Sequence, residues 1–245
     1  MRRVFVPPFA IFIILTFGIS VFAQSKSREE LQRELEAKRA ELVALERQIL
    51  APSETDRASF AEFLRQPNTG LIRLMPRELY DSEAYKDNKK TITMRGGGAY
   101  YSFSRHKHEY GYGSDIELDH GFLSVGFAGA DYGMLVKAGD VPIEEITFER
   151  PVLRFLSEYV VPNAEPGARS EGRKFSEGTL VDGINYKRRL AVEMNTTYLL
   201  RSINYGESDV LVALRVVRKD TDGSVIIVWK LLKKYSAPEL VQNNP

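Results

Sequence analysis

The chain has three histidines, His106, His108 and His120, and all fall within fifteen consecutive residues. Glu109, Asp115, Glu117 and Asp119 share that stretch, so imidazoles and carboxylates, the groups that ligate metals and carry protons near neutral pH, gather in one segment. In extended backbone, alternate side chains share a face, which groups His106 with His108, and Asp115 with Glu117 and Asp119. Paired strands would let His106, His108, His120 and Asp115 converge on zinc, manganese or iron. Glu109 or Asp115 would then be a ligand or the general base of a metal-dependent hydrolase. The plainer expectation needs no cofactor: a solvated strand face with His120 in a turn.

Other chemistries find less support. His108 and Glu109 begin the zinc-protease pattern His-Glu-x-x-His, but Tyr112 stands where its second His belongs. No Gly-x-Ser-x-Gly pentapeptide occurs, although Ser102, Ser104 and Ser114 lie near the histidines. Gly96, Gly97 and Gly98 lack the Lys-Ser or Lys-Thr of a phosphate loop and read as a turn or bulge. Asp220, Thr221, Asp222 and Gly223 lack the distal ligands of a calcium loop and read as a hairpin turn. Tyr100, Tyr101, Tyr110 and Tyr112 cluster around the histidines and form the candidate ligand-binding set. Each has a flat apolar face and a hydrogen-bonding tip, which suits glycan or peptide surfaces as well as a β core.

These residues must be held by a β-rich body. Short runs separated by glycine, at Tyr100 to Phe103, Ile116 and Leu118, Phe122 to Phe127, and Met134 to Val136, predict antiparallel strands, with Asp119, His120 and Gly121 as a tight hairpin loop. Tyr198 to Ile203, Val210 to Val217 and Val225 to Leu232 predict three more. Val210, Val212, Leu214 and Val216 on one side and Leu211, Ala213 and Val217 on the other mark a strand covered on both faces. Val152 to Val161 leans to helix, and Asn163 to Gly183, rich in Gly, Glu, Ser and Arg, reads as a long exposed loop. Tyr80 to Lys90 reads as a polar surface loop.

Upstream, Ser27 to Leu50 lacks Gly and Pro and repeats Leu31, Leu35, Lys38, Leu42, Leu45 and Ile49 at spacings of four and three. This is a coiled-coil seam with one Lys, on a helix roughly 36 Å long. Glu29 with Arg33 and Glu34 with Lys38 are favourable pairs along it. So thin a stripe is marginal alone, which predicts a homo-oligomer through Leu31, Leu35, Leu42, Leu45 and Ile49, with docking onto the downstream domain as the alternative. Ser53 and Asp56 predict an N-cap for a short helix carrying Phe60, Phe63 and Leu64.

The first residues carry an address. Arg2 and Arg3 precede an apolar run ending at Val21, Phe22 and Ala23, the pattern of an export signal cleaved before Gln24. The rival is an uncleaved anchor, since Val4 to Ala23 is about 20 residues and long enough to span a bilayer, although Pro7 and Pro8 oppose a full helix. The absence of cysteine removes disulfides and thiolate chemistry, and a formal charge of +1 argues against nucleic acid.

The expected organisation is a signal peptide over 1–23, a coiled-coil helix over 27–50, a short helix and linker over 51–70, a β-rich domain over 71–236 and a disordered tail over 237–245. The fold class is mainly β with minor α, an antiparallel sandwich-like or open-barrel domain behind a coiled coil. The expected function is binding or structural assembly in the periplasm or outside the cell, with an envelope protein or glycan as partner. The metal-dependent hydrolase is the alternative.

Overall fold

A computed structural model describes residues 26–79, 96, 98–108 and 110–241. The export signal, the loop expected over Tyr80 to Lys90, Glu109 and the end of the tail lie outside these residues. The chain divides into two compact units between Val43 and Ala44. Helix α1 (Arg28–Leu50) accounts for nearly all of the described part of the first. Within it Glu34 pairs with Lys38 at 3.1 Å, as the spacing predicts. Arg33 instead turns its Nε to the carbonyl of Glu29 at 3.4 Å.

The second unit is mainly antiparallel β. A five-stranded sheet has the order β1 (Thr69–Leu74), β11 (Val225–Tyr235), β10 (Ser208–Lys219), β9 (Thr197–Asn204) and β5 (Tyr132–Gly139). A four-stranded sheet has the order β2 (Tyr100–Tyr101), β3 (Ile116–Asp119), β4 (Phe122–Ser124) and β8 (Arg189–Ala191), and β6 (Thr179–Val181) pairs with β7 (Ile184–Tyr186).

Strand β10 lies at the centre because its sequence is apolar at every position from Val210 to Leu214. Val210, Val212, Leu214 and Val216 enter one core, where they meet Tyr101, Phe103, Ile116, Leu118, Leu123 and Val125 of the four-stranded sheet and its loops. Leu211, Ala213 and Val217 enter the other core. There they share apolar surroundings with Leu153 and Leu156 of α3 (Pro151–Glu158) and Ala168 and Phe175 of α4 (Glu165–Glu177). Burying a Leu or Val side chain contributes about 1.5–3 kcal/mol, so this alternation holds the layers together.

Ser53 caps α2 (Glu54–Ser59) with a reciprocal box to Asp56. Phe63 and Leu64 fall in a separate 3-10 turn, Phe63–Arg65, rather than in that helix. Gly70 pairs across β1 and β11 with Trp229, and a Cβ on Gly70 would sit 2.4 Å from the indole, so the large ring requires the missing side chain.

Two expectations are corrected. Asn163 to Gly183 is mostly helix α4, not an exposed loop. Pro166 stands in the first turn, where its missing N–H is tolerated, and Gly167 and Gly172, which read as loop residues, are packing sites. A Cβ at Gly172 would touch Tyr132 at 3.4 Å, and one at Gly167 would press Pro162 at 3.1 Å. The tail is also pinned as far as it is described: Pro238 accepts from Gly206 N–H, and Val241 N–H donates to Asn163, each at 2.8 Å.

Candidate binding site

The histidine segment is not one extended strand. His106 takes a left-handed conformation at φ 54°, which breaks the alternation and sends its ring against Trp229 at 5.1 Å. His108 donates from Nδ1 to the carbonyl of Tyr100 at 3.1 Å, beside the Tyr101 ring. Burial, partly offset by the backbone of Tyr100 and Gly98, pushes His108 down to about 4, so it is neutral at pH 7.

His120 sits at φ 48° in the β3–β4 hairpin, with Gly121 at φ 73°, the geometry of a two-residue primed turn. Its Nδ1 lies 2.7 Å from Asp119, whose carboxylate raises the His120 pKa. Asp115 faces inward instead. It accepts from Phe103 N–H at 2.7 Å and from Asn204 Nδ2 at 2.9 Å, and burial raises it to about 6 against these bonds.

The set His106, His108, His120 and Asp115 is therefore not assembled. Among the described residues one group has metal-ligand spacing: Glu78, Asp119 and His120. Its members already serve one another and a neighbour. Glu78 accepts from His120 N–H at 3.0 Å, and Arg189 donates to both the carbonyl and the carboxylate of Asp119.

The tyrosines give a different result. Tyr101 is corrected to a core residue, packed on Phe103 and Trp229 in the core between the two larger sheets. Tyr100, Tyr110 and Tyr112 line one cavity of about 640 Å³ with Phe127, Arg77, Glu117 and Arg188. Strand pleating explains the split. Tyr101, Ile116 and Leu118 enter the core, while Tyr100 and its cross-strand partner Glu117, each 5% exposed, lie on the opposite face. Tyr100 meets Tyr110 edge to face at 5.1 Å and Phe127 at 5.3 Å, which sets the aromatic floor. Tyr112, 69% exposed, stands at the rim. Arg77 donates to Glu117 at 3.0 Å within the cavity, leaving a fixed polar pair among the rings.

A second cavity of about 280 Å³ adjoins the first, and Phe127, Ala128, Gly129 and Arg188 line both. Its far wall is a face of α4 carrying Arg169, Gly172, Arg173 and Ser176 at helical spacing. The sequence alone did not single out these arginines. The signal that would have found them is Ala168 and Phe175, a buried apolar pair seven residues apart that sets the helix phase and turns Arg169 and Arg173 outward.

Comparison with models of protein families, with curated proteins and with solved structures finds no match. Among the described residues no helix is long and apolar enough to cross a membrane.

Proposed function

We propose that this chain is an exported, self-associating module that binds carbohydrate in the tyrosine-lined cleft. The observation that carries the reading is the meeting of Tyr100, Tyr110, Tyr112 and Phe127 with the Arg77 and Glu117 pair in one open cavity. Aromatic faces take the apolar faces of sugar rings, and a few fixed polar groups orient hydroxyls, the usual composition of a small-ligand site. Calorimetric titration of soluble oligosaccharides, neutral and acidic, into the wild-type chain and a Tyr110→Ala/Tyr112→Ala variant tests this. Binding weakened at least ten-fold in the variant is expected; no binding by any sugar, or equal binding by both proteins, contradicts it.

Export rests on the leader pattern over residues 1–23, and N-terminal sequencing of the mature protein should begin at Gln24. An intact Met1 on exported protein would replace the cleaved signal by an anchor. Self-association rests on α1, where Leu31, Leu35, Leu42, Leu45 and Ile49 are 41–53% exposed on the single chain. In this reading the two larger sheets form a sandwich, supported by the core that both line. A crystal structure showing one closed barrel would contradict that architecture.

A further inference from the structure

We propose that the arginine-lined cavity holds the carboxylate of an acidic sugar whose neighbouring rings lie on the tyrosines. This rests on the carbohydrate reading and narrows its ligand to uronic-acid oligosaccharides. The two cavities share Phe127, Ala128, Gly129 and Arg188, so one chain of sugar rings can occupy both.

Arg188 is the hinge between them. Its Nε donates to Val125 O at 2.9 Å and its Nη2 to Gly126 O, which fixes the guanidinium plane, while Nη1 makes no bond among the described residues. Arg173 lines the same cavity and has no hydrogen-bond or ion-pair partner among the described residues. Arg169, by contrast, is committed to Glu165 at 2.6 Å and to the carbonyl of Gly129 at 3.3 Å.

Among the described residues Asp131 is the one carboxylate in the lining, and its Oδ1 accepts the Tyr205 N–H at 2.9 Å. Two available guanidiniums against one carboxylate leave a single positive charge in excess. That balance suits a monoanionic carboxylate better than a phosphate dianion, and planar guanidinium pairs with carboxylate through two parallel bonds.

The test is calorimetric titration of trigalacturonate and of neutral triacetylchitotriose into the full chain, its Arg173→Gln variant and its Tyr112→Ala variant. Arg173 is exposed on a helix surface, so its replacement leaves the fold intact. Trigalacturonate is expected to bind at least ten-fold more tightly than the neutral sugar. Arg173→Gln should remove most of that preference, and Tyr112→Ala should weaken both sugars. Equal affinity for the two sugars, or a preference untouched by Arg173→Gln, overturns the carboxylate site while leaving the carbohydrate reading standing. Failure of both sugars to bind overturns both. Displacement of trigalacturonate by millimolar inorganic phosphate would assign the cavity to phosphate and overturn the carboxylate assignment.

Discussion

Tyr100 and Glu117 face each other directly across β2 and β3, so a ring and a carboxylate lie side by side on the face of the four-stranded sheet turned away from its core. The Glu117 side chain is 6% exposed and accepts from Arg77, itself 42% exposed. Removing the partner with Arg77→Met leaves a nearly buried carboxylate with one strong donor fewer. We expect a loss of about 1–3 kcal/mol in urea unfolding, largely restored by adding Glu117→Gln, whose neutral amide costs less to bury. A loss of the same size in the double variant would show that Arg77 acts through other contacts.

The two perturbed histidines should separate by pH. His108, depressed by burial, is expected to titrate near 4, and His120, raised by Asp119, above the ordinary histidine value. With only three imidazoles in the chain, proton NMR resolves them once single His→Gln variants assign the peaks. A His108 midpoint near 6.5 would mean that its ring is solvated and the Tyr100 carbonyl bond is open.

The same burial gives opposite stability terms. His108 binds fewer protons folded than unfolded, so its contribution is present above about pH 6.5 and lost as pH falls toward 4. Asp115 binds more protons folded, so its contribution is present below about pH 4 and lost as pH rises through 6. The stability of wild type relative to Asp115→Asn should therefore fall from pH 4 to pH 7. A difference independent of pH would place the Asp115 carboxyl in water.

A buried ion pair anchors the second core. Arg201 meets Asp209 through two bonds, at 3.0 and 2.8 Å, and its remaining nitrogen donates to the carbonyls of Leu156 and Tyr159 at the end of α3. Breaking such a pair strands a buried charge, so Arg201→Met should cost about 3–5 kcal/mol, measured by chemical denaturation. A cost below about 1 kcal/mol would mean that water reaches Asp209.

Self-association through α1 should be concentration-dependent and abolished by charge on its stripe. Sedimentation velocity is expected to give an oligomer for residues 24–245 and a monomer for the Leu35→Glu/Leu42→Glu variant, with unchanged thermal unfolding of the β domain. A monomeric wild type at tens of micromolar would remove the coiled coil from the account.

How far the sequence alone carried can be judged from particular residues. The two-sided alternation of β10 was legible because burial on both faces leaves no polar position from Val210 to Leu214. Helix α4 was not, because its signal is masked by Gly167 and Gly172, present for close packing rather than for a turn. The tyrosine cluster was legible by type, but which ring faces outward depends on strand phase, and Tyr101 fell to the core. His106 defeated the alternation rule through one left-handed residue, and period-two reasoning has no way to register such a break. The arginines stand on an element distant in sequence, and only the tertiary fold brings them beside Phe127.

The central claim is that sugar occupies the tyrosine cleft. Its most direct test is fluorine NMR of the chain labelled with 3-fluorotyrosine, with resonances assigned by single Tyr→Phe changes, during titration with trigalacturonate and triacetylchitotriose. We expect saturable shifts at Tyr110 and Tyr112, a smaller one at Tyr100 beneath them, and none at Tyr198, buried in the core. Saturable shifts confined to other tyrosines, or no shift at millimolar sugar, would contradict the account.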